Sequence, residues 1–377
     1  MSYAAEMTSC PVALAKGATV AEVGASLGRK RRSLEDFAAL ISPAAASPWC
    51  LEEMARQAHE LTLKHFGRVI RLFAPLYLSN ECVNVCRYCG FSRDNPIQRV
   101  TLSLDQVLAE TRYLRSEGFR HILLVAGEHP RFISPEYLRE CVARLHPDWP
   151  SISLEVGPLE TAEYEGIVRA GAEGLVIYQE TYDREIYASM HSRGPKKDFD
   201  WRLETVERAY AAGLKRLGIG ALLGLAPWRM EAVALAGHVG YLLRHCWKAQ
   251  ITVSIPRLRP SAGQFEPPVK VGERDLTQLI CALRLTFPEV GIVLSTRERA
   301  GLRDGLLRLG ITMMSAGSHT EPGGYTGQGA TVIGSEGEHA TEQFEIADAR
   351  SSSEVATVLA GMGYEPVWKD WDGVLND

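Results

Sequence analysis

The chain is short of most features that would place it outside the ordinary globular class. No apolar run approaches the roughly 18 residues of a membrane span, so a membrane partner is not expected. The first thirty residues carry no export signal, because Glu6 comes early and no continuous apolar core follows it. The expected compartment is therefore the cytoplasm. There is no excess of positive charge: 41 Lys and Arg stand against 46 Asp and Glu, a net charge of −5. The overall field does not favour phosphate backbones, so no nucleic-acid partner is expected. Internal repeats, low-complexity tracts and Pro/Gly/Ser linkers are also missing. What is left is a composition of 46% hydrophobic and 23% charged residues, which excludes a disordered or fibrous chain. A chain of 377 residues buries a large core without staples. In a reducing compartment its eight cysteines are expected as thiols or metal ligands.

The first 67 residues read as helical. Leu51, Met54, Ala58, Leu61 and His65 recur at helical spacing, with Gly67 as a stop signal. Short apolar runs then alternate with longer amphipathic stretches. The runs are Val69–Tyr77, His121–Ala126, Ile152–Val156, Leu175–Gln179, Arg216–Leu223, Ile251–Ile255, Ile292–Ser295 and Ile311–Ser315. Between them lie helix signals: a capping box at Ser103–Gln106, an N-cap at Ser134 before Pro135, and one apolar face through Leu276, Leu279, Ile280 and Leu283. Eight strand–helix units suggest an α/β fold of the (β/α)8 barrel type, with a doubly wound sheet as the alternative. The expected division is a helical extension over 1–67, the barrel over 68–345, and a short tail over 346–377 that packs on the barrel. In such a barrel, chemistry sits at the carboxyl ends of the strands.

Cys82, Cys86 and Cys89 form C-x3-C-x2-C just beyond the first run. Three thiolates from one loop suit three irons of a 4Fe–4S cluster and leave the fourth iron open to a small molecule. Structural zinc is the bland alternative, but it wants four ligands and no partner pair is present. Cys10, Cys50, Cys141, Cys246 and Cys281 are isolated and read as buried small apolar residues. Gly218, Gly220 and Gly224 do not make a dinucleotide fingerprint, since Leu223 stands where the third glycine belongs.

This cysteine spacing resembles that of the radical S-adenosylmethionine superfamily. From about Phe66 to Asp372 the chain is similar, more narrowly, to the 2-iminoacetate synthase family, the tyrosine lyases of thiazole (thiamine) biosynthesis. The resemblance is carried by Pro75–Asn80, Gly127-Glu128-His129, Tyr178–Tyr182, Pro256–Pro260, Leu294–Glu298, Glu321–Tyr325 and Pro366–Asp372. It implies a 4Fe–4S cluster and S-adenosyl-L-methionine as cofactors, and cleavage of L-tyrosine between Cα and Cβ to 2-iminoacetate and p-cresol. It also implies thiazole synthase as a partner and a flavodoxin- or ferredoxin-type electron donor. The related FeFe-hydrogenase maturase carries a second cysteine-bound cluster in a C-terminal domain, whereas the last cysteine here is Cys281. A tryptophan lyase on the same scaffold and a non-catalytic iron–sulfur scaffold remain as rivals.

The strand ends supply candidates for these roles. Gly127 lets backbone approach a ligand closely; with Glu128 it matches the superfamily's cofactor-supporting Gly-Gly-Glu, except that Ala126 replaces the first glycine. Glu155 can accept two hydrogen bonds from a ribose diol. Gln179 and Glu180 are expected to hold the cofactor or line the pocket. Arg297 offers a fork for the substrate carboxylate. By resemblance, Ser315 stands near that carboxylate and Tyr77 near the substrate amine. Each could instead be a paired or packed strand end. Arg257 and Arg259, two apart, are left open between the barrel mouth and outside ion pairs.

Overall fold

The computed structural model describes residues 2–327 and 341–369. Eight parallel strands close into a barrel: β1 (Val69–Ser79), β2 (His121–Ala126), β3 (Ser151–Glu155), β4 (Gly174–Glu180), β5 (Arg216–Ala221), β6 (Gln250–Ser254), β7 (Gly291–Leu294) and β8 (Met313–Ser315). Each pairs with the next, and β8 returns to β1 through Arg71–Phe73. This closure decides against the doubly wound sheet. A ninth strand, β9 (Glu365–Val367), adds to the start of β1 from the tail.

The strands follow a two-residue period. Ile70, Leu72, Ala74, Leu76, Ile122, Leu124, Ile152 and Leu154 are fully buried, facing the surrounding helices. Their neighbours Phe73, Tyr77, Leu123, Val125, Ser153 and Glu155 line the barrel interior. The helix signals sit where expected. Ser103 and Gln106 form a reciprocal capping box, and Ser134 caps a helix that has Pro135 at its first position.

Several helices precede the barrel, the longest being Pro48–Phe66, which ends at Gly67 with φ 62°. Its buried seam runs through Cys50, Met54, Ala58 and Thr62, so the expected face is shifted. Leu51 and Leu61 flank that seam, and His65 is exposed. Thr62 can sit inside because its hydroxyl donates to the Ala58 carbonyl at 2.7 Å.

The chain returns to the barrel mouth at 341–348. Gln343 N–H donates to the Thr320 carbonyl at 3.0 Å, and Ala347 N–H to the Thr296 carbonyl at 2.8 Å. Beyond this lie the helix Ser352–Gly361 and β9. Trp368 meets Phe119 edge to face at 5.0 Å, whereas Asp370, Trp371 and Asp372 fall outside the described residues.

A buried ion pair fastens this return segment. Arg303 bonds both the Asp348 carboxylate and the Ser315 carbonyl, and Arg350 pairs with Asp348 at 2.7 Å and with Asp304 at 2.9 Å. Asp348→Ala should strand the buried Arg303 charge and destabilise the fold by about 3–5 kcal/mol, read as a lower urea midpoint. Burial alone would raise the Asp348 pKa, but Arg350 and Arg303 outweigh it and hold the carboxyl below the usual range. This contribution is therefore complete above the unfolded carboxylate pKa and is lost as pH falls through the lower, folded one. The wild-type and variant stabilities should converge in acid; a constant gap down to pH 2 would contradict the assignment.

Candidate active site

The site begins with the loop after β1. Asn80 anchors its start: the side chain accepts from Val100 N–H at 2.6 Å and donates to the Gln98 carbonyl at 2.7 Å. Arg99 ties both ends together, donating to the carbonyls of Asn80 (2.7 Å), Phe91 (2.9 Å) and Ser92 (2.6 Å). The three cysteines of this loop line one cavity with Gly127, Glu128, Glu155 and Glu180. Among the described residues no group of three His, Cys, Asp or Glu side chains converges to hold a single ion. A cluster that takes one thiolate per iron asks for a wider spacing than zinc does.

Gly127 is constrained by the cysteine loop. A Cβ there would lie 2.3 Å from the Glu81 carbonyl oxygen and 3.2 Å from Cys82 Cβ. The absent side chain thus lets the strand end and the loop meet. Glu128 accepts from Asn84 Nδ2 at 2.7 Å, and its carbonyl accepts from Val83 N–H at 2.8 Å. The donor set, three thiols beside a glycine-bared strand end, fits an iron–sulfur cluster with a small polar ligand.

Two further chambers overlap the first around Glu155 and Tyr178. One is lined by Tyr77, Thr296, Arg297, Ser315 and Phe344, the other by Cys89, Glu180, Lys196, Arg259, Arg297 and Gln343. Glu155 stands at their junction. Burial pushes its pKa up to about 7, with Glu180 adding to the rise and Arg297 opposing it. Arg297 lies with its guanidinium 3.3 Å from the Phe344 ring centroid. Among the described residues that guanidinium has no hydrogen-bond or ion-pair partner, and burial lowers its pKa. Ser315 Oγ accepts from Thr296 N–H at 3.1 Å, and the Tyr77 hydroxyl donates to Gln343 Oε1 at 2.8 Å.

Ten of the eleven residues singled out from the sequence line these chambers; Gln179 does not. Its side chain donates to the Phe199 carbonyl at 3.2 Å, away from the cavity. Adjacent strand residues face opposite sides, so Gln179 and Glu180 cannot both point inward. Glu180 is the inward one, at a bulge with φ 72°. That left-handed backbone costs on the order of 1–3 kcal/mol for a non-glycine residue. It is held by Lys196 at 2.7 Å and Arg202 at 3.4 Å. Burial works against charge on all three, yet their attraction keeps Glu180 low and Lys196 high.

Lys196, Arg202, Tyr178, Gln343 and Phe344 were not singled out from the sequence. Strand parity with Glu180 would have found Tyr178; no local signal marks the others. The open pair also resolves. Arg257 is taken by Glu298, with Nε at 2.8 Å from its carboxylate, whereas Arg259 lines the cavity and its buried Nε has no partner among the described residues.

Comparison with known proteins gives this geometry its context. Residues 76–234 match the Radical SAM superfamily model, and residues 254–365 match the Biotin and Thiamin Synthesis associated domain. The first model implies S-adenosylmethionine and an iron–sulfur cluster. Among solved structures, the FeFe-hydrogenase maturase HydG from Carboxydothermus hydrogenoformans superposes with a TM-score of 0.83 at 35% identity, covering 93% of this chain and 79% of that one. Methylornithine synthase shares the fold, with a TM-score of 0.72 at 21% identity over 94% of this chain and 99% of that one. The 2-iminoacetate synthases of Escherichia coli and Salmonella typhimurium are each 42% identical over 96% of this chain and 93% of their own length. With three cysteines and a buried arginine meeting in one barrel mouth, and identity running nearly end to end, the chain belongs to the 2-iminoacetate synthase family of radical S-adenosylmethionine enzymes.

Proposed function

We infer that this enzyme cleaves the Cα–Cβ bond of L-tyrosine to 2-iminoacetate and p-cresol, and that the imine passes to thiazole synthase. The observation that carries this reading is the junction at Glu155, where the cysteine chamber opens into the chamber that holds Arg297, Ser315 and Tyr77. In this reading Cys82, Cys86 and Cys89 hold a 4Fe–4S cluster. When bound and reduced, the cluster and S-adenosylmethionine supply a 5′-deoxyadenosyl radical, with methionine as the by-product. The electron comes from a flavodoxin- or ferredoxin-type donor.

The chain's own residues bind, orient and exclude water. Gly127 and Glu128 flank the cofactor's methionine end, and Glu155 faces its ribose hydroxyls. Lys196 and Arg202 bring positive charge to a chamber that must hold a carboxylate and thiolates, with Glu180 fixing both cations. Arg297 grips the substrate carboxylate through its fork, assisted by the Ser315 hydroxyl, and Tyr77 faces the substrate amine. Gln343 and Phe344 cover the chambers, which keeps solvent from the reacting atoms.

The test is anaerobic incubation of reconstituted, reduced protein with each aromatic amino acid, followed by product identification. Tyrosine should give p-cresol and tryptophan little product, since a pocket built for a phenol strands its polar groups against an indole. Faster turnover of tryptophan would move the assignment to the related tryptophan lyase. Absence of any S-adenosylmethionine cleavage would leave an iron–sulfur scaffold.

A further inference from the structure

The cysteine loop does not meet solvent alone. Val85 and Cys86 pair antiparallel with His191–Arg193, and Arg87 N–H donates to the Met190 carbonyl at 3.1 Å. Buried Asn84 joins the same two segments. Its carbonyl accepts from Arg93 N–H at 2.9 Å, and its side-chain oxygen accepts from Lys196 N–H at 2.9 Å. These contacts gather four exposed cations around Cys86: Arg87 and Arg93 from the loop, Arg193 and Lys197 from the facing turn.

What marks them is their grouping about one ribbon, since other exposed cations without an ion pair among the described residues, such as Lys16, Arg112 and Arg139, stand on separate helices. Elsewhere on the surface Arg56, Arg115, Arg184, Arg244 and Arg299 each sit in an ion pair. None of the four has an ion-pair partner among the described residues; Arg87 only leans on the Phe265 ring at 5.9 Å. The acids in the same two segments are Glu81, half-buried, and Asp94 and Asp198, both exposed; Glu266, also exposed, follows Phe265. Asp198 accepts from Trp201 N–H at 3.0 Å to cap a helix. On a chain of net charge −5, this local reversal of sign lies directly outside the ribbon that carries Cys86. Unpaired surface charge of one sign does little for stability but attracts an oppositely charged partner from a distance.

We propose that this face is the docking surface for a small, acidic one-electron carrier protein. The proposal rests on the radical reading above, which needs one external electron per cleavage and for which the chain holds no second redox centre among its described cysteines. In the docked complex one electron passes from the carrier's reduced flavin or iron–sulfur centre to the oxidised cluster beside Cys86. The carrier leaves oxidised by one electron, and no bond forms or breaks. Arg87, Arg93, Arg193 and Lys197 act on the encounter, not on the chemistry.

The test is stopped-flow reduction of the full, cluster-reconstituted protein, followed by cluster absorbance. Flavodoxin hydroquinone serves as the acidic protein donor and dithionite as the small one. The wild-type rate with flavodoxin should fall as salt rises from low to physiological ionic strength. The triple variant Arg93→Glu, Arg193→Glu, Lys197→Glu should react at least tenfold more slowly with flavodoxin at low salt, with its salt dependence flattened and its dithionite rate unchanged. The double variant Arg193→Gln, Lys197→Gln, which only neutralises charge, should show a smaller fall of the same kind if the reversal impairs folding. A flat wild-type salt dependence, or unchanged flavodoxin rates in the variants, would overturn the proposal. So would an equal loss with dithionite, which would assign these residues to holding the cysteine loop. Failure of both donors to reduce the wild-type protein would instead overturn the radical reading and the docking surface with it.

Discussion

Cys86→Ala should abolish S-adenosylmethionine cleavage altogether, with no 5′-deoxyadenosine detected under conditions where the wild-type protein accumulates it. Anaerobically reconstituted wild-type chain should bind about four irons, as a 4Fe–4S site requires. The variant, left with two thiolates, should bind fewer and lose the cluster's visible absorbance. The expectation follows from placement. Cys86 is buried among Tyr88, Met190, Leu222 and Leu225, on the ribbon that the loop shares with His191–Arg193. Its neighbours are apolar, so alanine is tolerated by packing and the loss is one of ligation. Cys246 is the control. It is equally buried, but at the end of the helix Trp228–His245 and far from the loop. Cys246→Ala should keep full activity per folded chain. Cleavage that survives in Cys86→Ala, or falls equally in Cys246→Ala, would sink the ligand assignment.

How much of this was legible beforehand depends on the range of the interaction involved. The eight strands were legible because each is a short apolar run bounded by breakers, and burial on both faces makes such runs stand out. The cysteine loop was legible because all three thiols are local. Glu155, Arg297 and Ser315 could be picked out as polar residues at strand ends, where a barrel places its chemistry. Gln179 shows the limit of that filter: being at a strand end is not enough, and the two-residue period decides which of two neighbours faces in. Lys196 and Arg202 come from the connection between β4 and β5, which carries no periodic signal. The return segment is harder still. Gln343 and Phe344 reach Tyr77 of β1 and Arg297 beyond the end of β7 across more than forty residues of intervening chain, and nothing in their local pattern announces it. The pairing of Arg257 with Glu298, 41 residues apart, is of the same kind. Only the folded chain separates that arginine from Arg259.

Arg297→Ala should uncouple the two halves of the reaction. Among the described residues the Arg297 guanidinium has no ion-pair partner, lying instead on the Phe344 ring. It lines the chambers shared with Ser315, Tyr77 and Glu155. Removing it therefore breaks no salt bridge among the described residues, unlike removal of Arg257 or Arg303, and the variant should fold with near-normal yield. With tyrosine bound, the loss of one partner of a desolvated charge pair costs roughly 3–5 kcal/mol, a factor of hundreds to thousands in affinity. Formation of p-cresol should collapse accordingly. The cofactor is assigned to other groups, at the cysteine loop and the ends of β2 to β4, so slow, unproductive cleavage of S-adenosylmethionine should persist. Arg297→Lys keeps the charge but loses the two-pronged contact and the flat stack on Phe344, so it should also be impaired. A purely structural arginine would lower soluble yield and both activities together, which is what separates the two explanations. If Arg297→Ala folds normally and makes p-cresol with an unchanged dependence on tyrosine concentration, the anchor lies elsewhere. Arg259 is then the next candidate, because it faces the same cavity while Glu298 already occupies Arg257.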